Sequence, residues 1–110
     1  MVKYVHDGQT VDYTPGADVA VGDVIVQGEM VGVATHAIAA GVLGSLAVRG
    51  VFDFPKATGG GTAITAGANG YWDDGAGVAT TNAAAGANKL IGKATVAAAD
   101  ADETVRIRMP

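Results

Sequence analysis

A mainly β fold, a small compact barrel or sandwich of short strands joined by glycine-rich turns with little helix, is what the sequence predicts. Three observations predict it. Apolar residues recur with period two and not 3.6. The β-branched runs are short and are cut every few residues by glycine. The 17 glycines in 110 residues are about twice ordinary usage, a density that fits many tight turns better than alternating β and α units.

The first 15 residues place Val2, Tyr4, Val11 and Tyr13 among polar neighbours and end at Pro15-Gly16. Two readings stand side by side, an extended arm laid on a neighbouring chain or a first strand of the same domain. Residues 16–110 read as a single β domain, since this length leaves no room for a second independent core. Residues 24–27 and 30–35 are β-branched runs separated by Gly28-Glu29, the pattern of a tight hairpin. Over 45–54, Leu46, Val48, Phe52 and Phe54 share one face and Ser45, Arg49 and Asp53 the other, which predicts one half-buried strand interrupted at Gly50. Further strands are expected at 71–73, 77–81 and 90–96. At the end of the chain Val105, Ile107 and Met109 oppose Thr104, Arg106 and Arg108, again a half-buried strand. The alanine stretches 37–40 and 83–85 have high helix propensity, but Gly41, Gly44 and Gly86 cut them short. Loops or single helical turns are expected there.

An irregular internal repeat runs through these elements. Val19-Ala20-Val21-Gly22-Asp23, Ile38-Ala39-Ala40-Gly41 and Ile64-Thr65-Ala66-Gly67 each place a glycine shortly before a strand, at the third turn position, where a type II turn demands positive φ. Val31-Gly32-Val33-Ala34-Thr35 is echoed by Ile91-Gly92-Lys93-Ala94-Thr95. The spacing indicates local reuse of structure and not a solenoid.

Composition excludes several functions. Seven Lys and Arg against eleven Asp and Glu give a net charge of −4. The cations are scattered, so nucleic acid is not an expected partner. Arg106 and Arg108 read as the solvated face of a strand. No apolar run reaches the length of a membrane span and the N-terminus lacks the apolar core of a signal peptide, so a soluble protein synthesised in the cytoplasm is expected, with no membrane partner. Absence of cysteine removes disulfides, thiol catalysis and thiolate metal sites. With so much glycine and no disulfide, stability is expected to draw on self-association.

The residues that could carry chemistry do not form a recognisable site. Residues 56–62, Lys-Ala-Thr-Gly-Gly-Gly-Thr, resemble a phosphate loop only superficially, because the lysine precedes the glycines. His6 and His36 are isolated from other metal-ligating residues. Asp73-Asp74-Gly75 and Asp100 to Glu103 lack the spacing of a calcium loop and read as turns. Ser45, the single serine, sits within a strand pattern and not a nucleophile elbow. No catalytic residue, cofactor or metal is expected, and the chain is not read as an enzyme. Two non-catalytic alternatives are a carrier domain modified on Lys56 and a sugar-binding module using the adjacent Tyr71-Trp72.

The order of motifs carries a resemblance. Residues 17–26, ADVAVGDVIV, are followed by Met30-Val31-Gly32-Val33-Ala34, Ile38-Ala39-Ala40-Gly41, residues 44–52 (GSLAVRGVF) and Phe54-Pro55-Lys56-Ala57. Gly70-Tyr71-Trp72-Asp73, Leu90-Ile91-Gly92-Lys93-Ala94 and Val105-Arg106-Ile107-Arg108 complete the series. In this order the sequence resembles the capsid cement, or decoration, proteins of tailed bacteriophages over nearly its whole length. The resemblance implies a structural virion protein with no cofactor: a β domain that forms a homotrimer, binds the major capsid protein and stabilises the exterior of an icosahedral head. Val2, Tyr4, Val11 and Tyr13 would then belong to a capsid- or subunit-contact arm.

Overall fold

The structure, a computed structural model, describes residues 10–109. Among these, nine strands form two antiparallel sheets. The first contains β1 (Thr10–Tyr13), β2 (Val24–Gln27), β3 (Met30–Ala34) and β4 (Gly44–Ala47), in the order β1-β4-β3-β2. The second contains β5 (Gly50–Pro55), β6 (Asn69–Asp73), β7 (Val78–Thr80), β8 (Lys89–Ala94) and β9 (Thr104–Met109), in the order β5-β9-β8-β6-β7. Each sheet is drawn from one continuous stretch of chain, and Val48-Arg49 is the link between them. The sheets meet where β3 lies against β8, and the result is a sandwich. An isolated parallel bridge between Lys56 and Ala79 brings the end of β5 towards β7, but the barrel alternative fails because the second sheet does not close.

The hairpin forms at the predicted place, with Gln27 opposite Met30. Gly28 has φ of 63°, the positive value that a two-residue hairpin turn needs. In β9 the alternation is complete: Val105, Ile107 and Met109 are buried while Thr104, Arg106 and Arg108 are exposed.

Residues 45–54 do not form one strand. The chain breaks at Arg49-Gly50, where Gly50 adopts φ of 126°, and β4 and β5 join different sheets. Leu46 enters one hydrophobic cluster and Phe54 another. Period-two patterning reports which residues are buried but not which core receives them, so it runs unbroken across a change of sheet.

The alanine stretches contain one short 3-10 turn, Ala84–Gly86. Ala84 and Ala85 have φ of 50° and 55°, so this turn lies in the left-handed region and owes nothing to the right-handed propensity of alanine.

The two sheets share one plan. In the first, Val19 and Ile38 form an isolated bridge, and in the second Ile64 and Ala98 do the same. After each bridging residue the chain makes a turn closed by the same backbone hydrogen bond: Asp23 to Ala20, Val42 to Ala39, Ala68 to Thr65 and Asp102 to Ala99. Gly22, Gly41 and Gly67 take φ of 87°, 76° and 84° at the third position, as the repeat predicts. Gly22 donates to Ala34 at 2.7 Å and Gly67 to Ala94 at 2.7 Å; Ala34 donates to Asp23 at 2.9 Å and Ala94 to Ala68 at 2.9 Å. The echo between residues 31–35 and 91–95 therefore marks equivalent strands, β3 and β8. The repeat is more than local reuse, because the order β1-β4-β3-β2 is reproduced by β5-β9-β8-β6 with β7 added in the second half.

Two clusters hold these halves together. The main core gathers Phe54, Ile64, Trp72, Val105 and Ile107 with Val31 and Val33 from the first sheet. Phe54 and Trp72 pack with ring centroids 6.2 Å apart and planes at 59°, within the range in which aromatic pairs add to simple burial. A smaller core of Val19, Ala34, Ile38 and Leu46 lies under the first bridge. No helix among the described residues is long and apolar enough to cross a membrane.

Candidate interaction surface

Of the four residues assigned to an arm, Val2 and Tyr4 lie outside the described residues. Val11 and Tyr13 lie on β1, which pairs antiparallel with β4 of the same chain, Val11 opposite Leu46 and Tyr13 opposite Gly44. Both are half-buried against the smaller core. For residues 10–13 the geometry is that of an edge strand in the domain.

The chemistry-bearing residues are dispersed, and the fold accounts for most of them. Lys56 is 4% exposed, the one buried charged residue among those described. Its ammonium donates to the carbonyls of Ala57 (2.7 Å), Asp102 (3.2 Å) and Asp100 (3.4 Å) and to Thr62 Oγ1 (3.3 Å). An ammonium has three donors, and this arrangement satisfies them without a carboxylate. The glycine-rich loop after Lys56 is thereby tied to the β8–β9 turn. A carrier domain must present its lysine to a modifying enzyme, so this position does not suit that alternative.

The carboxylates act as turn caps. Asp100 accepts from the backbone of Thr62 at 3.1 Å and Ala63 at 2.8 Å, Asp73 from Ala76 at 3.1 Å, and Asp23 from Ala20 at 2.9 Å. Among the described residues no group of three His, Asp or Glu is placed to hold a metal ion; His36 is exposed and His6 lies outside those residues. Ser45 lies on β4 opposite Asp12. Trp72 is 6% exposed inside the main core, so the Tyr71-Trp72 pair does not offer the open aromatic platform that sugar stacking requires. Arg106 forms an ion pair with Asp53, Nε to Oδ1 at 2.9 Å and Nη2 to Oδ2 at 3.2 Å. These hydrogen bonds hold the Asp53 carboxyl below its ordinary value of 3.8.

Among the described residues the fold leaves apolar surface exposed and the exposed cations Arg49, Lys93 and Arg108 without an ion pair. A groove of about 520 Å³ lies between the β2–β3 hairpin and β8, lined by Met30, Val31, Val48, Leu90, Ile91 and Met109 among others. At its rim Lys89 pairs with Glu29 at 3.0 Å. Leu90 also borders a recess of about 220 Å³ with Asn69, Gly92, Lys93 and Arg108. Val21, Val42 and Leu43, in the turns of the first half, are 67%, 53% and 66% exposed.

Alternation did not identify Leu90 because the register shifts between Gly70 and Tyr71. After that bulge Ile91 is buried and Leu90 exposed, the reverse of what a regular strand continuing from Ala94 would give. The glycines at 70 and 92 are the one sequence signal that could have marked the irregularity.

A family model described as phage cement protein matches residues 5–109. No curated protein matches the chain, and no solved structure does.

Proposed function

Because the chain belongs to the phage cement protein family, we propose that it binds the outer surface of an icosahedral phage head, through the major capsid protein, and stabilises the assembled shell. The family supplies the coarser part of this reading, a structural component of the capsid. The reading is supported by a family match that spans the whole described fold, in which polar side chains are used to close turns and loops. Exposed apolar residues in the first-half turns and along β8 support a protein that works by contact.

The acting form is a homotrimer located on the exterior of the virion after synthesis in the host cytoplasm. Three linked copies turn several weak contacts into one firm attachment through effective concentration. Binding the assembled shell more tightly than its separated subunits stabilises it by mass action. Of residues 1–15, the part that precedes β1, with Val2 and Tyr4, contributes an arm to the shell or to a neighbouring copy, and Val11 and Tyr13 root it on the domain.

The test compares particles with and without the protein over a temperature series at matched salt. Undecorated particles assemble but release DNA at lower temperature, and purified protein restores retention in a saturable way. Equal retention would reject reinforcement. Light scattering of the free protein, read with particle images, tests the trimer; monomers at isolated sites would reject it. Deleting residues 1–9 weakens shell binding while leaving the melting temperature nearly unchanged, whereas unaltered binding would remove the arm from the mechanism.

A further inference from the structure

We propose that the outer face of the second sheet around Lys93 and Arg108, with Leu90 beside it, docks a segment of the phage shell protein that carries a carboxylate next to a bulky apolar side chain. The inference rests on the shell-binding reading above and names the surface and the chemistry of its partner.

Lys93 on β8 and Arg108 on β9 are directly opposite in the antiparallel register, and both are exposed. Like charges in that relation oppose folding. The other cations on this sheet are neutralised: Lys89 pairs with Glu29 at 3.0 Å and Arg106 with Asp53 at 2.9 Å. Among the described residues no carboxylate lies within ion-pair distance of Lys93 or Arg108. The Lys93 ammonium donates instead to Asn69 Oδ1 at 2.7 Å. In a chain of net charge −4, two adjacent cations with no acidic partner among the described residues are complementary to an anion supplied from outside.

The surroundings specify more than charge. The recess of about 220 Å³ is bounded by Asn69, Leu90, Gly92, Lys93 and Arg108. A Cβ at Gly92 would collide with the Arg108 carbonyl, so the floor there stays at backbone level. Leu90, 47% exposed, connects the recess to the larger apolar groove under Met30. A carboxylate held by Arg108 and Lys93 would thus lie beside a site for an apolar side chain, and burial of the latter would strengthen the charged contacts by excluding water. The shared plan of the two sheets points the same way. The pair equivalent to Lys93 and Arg108 in the first sheet is Val33 and Ala47, and both are buried inside this chain. The face that is a contact surface in one half is left open and charged in the other.

The experiment measures binding of the purified full chain to undecorated shells by co-sedimentation. Lys93→Gln with Arg108→Gln weakens binding about tenfold or more and flattens its salt dependence, with circular dichroism and melting retained. Leu90→Ser weakens binding at constant salt dependence. The charge-matched control Thr58→Glu with Thr81→Glu, both exposed positions, binds as wild type does. If wild-type protein binds but the double glutamine variant binds equally well, the surface assignment is overturned and the cement reading stands. If the variant loses self-association in light scattering while its shell affinity per subunit is unchanged, the occupant is a second copy and the assignment to the shell is overturned. If wild-type protein does not bind shells, the cement reading falls, and this surface falls with it.

Discussion

Lys56 and Asp102 stand 46 residues apart, and the buried ammonium of the first donates to the backbone carbonyl of the second at 3.2 Å. With the bonds to Ala57, Asp100 and Thr62, this contact fastens one end of the second sheet. Lys56→Met keeps the aliphatic stem but removes the charged donors, leaving three carbonyls and a hydroxyl to find water. The expected loss is about 2–3 kcal/mol, measured by urea denaturation. Acetylation of the native protein followed by mass spectrometry should modify Lys93 well before Lys56. Rapid modification of Lys56 would show that its loop opens readily.

Glycine has separable roles at two positions. A Cβ at Gly92 would strike the Arg108 carbonyl and approach Met109 Cα to 3.1 Å, and neither backbone atom can move without breaking the β8–β9 pairing. Gly92→Ala should cost about 3 kcal/mol. Gly16 has open space around it and no positive φ, so Gly16→Ala should be neutral or stabilising by up to about 1 kcal/mol through the unfolded chain. Thermal melts of the two variants in parallel check both the sign and the contrast.

The Asp53–Arg106 pair predicts a local pH dependence. Hydrogen bonds from Arg106 lower the Asp53 carboxyl below 3.8 in the folded state. A depressed acid favours the native state above its unfolded value, and that contribution disappears as pH falls through the folded value. Both partners are on the surface, so the effect is small and weakened by salt. Carbon-detected NMR titration should find Asp53 below the ordinary carboxylate range, and Arg106→Gln should raise it towards 3.8. An unchanged titration curve would show that the pair is not maintained in solution.

Trp72, the single tryptophan, reports on the main core. It is buried against Phe54, and its Nε1 donates to Asp74 Oδ1 at 3.1 Å. Native emission should be blue-shifted and should move red on unfolding. Phe54→Ala should reduce the free energy of that transition by about 3–5 kcal/mol. Val21→Ala, at an exposed turn, should change it by less than about 0.5 kcal/mol.

β9 was legible because its burial alternates on the local period, and the β2–β3 hairpin because β-branched runs flank a two-residue turn at Gly28-Glu29. The break between β4 and β5 was not, since Leu46 and Phe54 are both buried but in different clusters. The duplicated plan showed in three glycine turns, but its fourth member, at Ala99 to Asp102, has Ala101 at the third position. Ala101 is not among the residues with positive φ, so that turn needs no glycine and leaves no such mark. The candidate surface was the least legible part. Arg108 could be placed on an exposed face from alternation, but its pairing with Lys93 depends on strand register across the β8–β9 connection. Exposure of Leu90 depends on a bulge, and both are tertiary facts.

Among the described residues every strand pair lies within one side of the Val48-Arg49 link, so cutting the chain there would sever none of those ladders. Residues 1–48 and 49–110 could then be produced as complementary fragments, each retaining its own set of strand partners and lacking only the other's apolar face. Their recombination would measure the affinity of one half for the other directly, with recovery of Trp72 fluorescence as the readout.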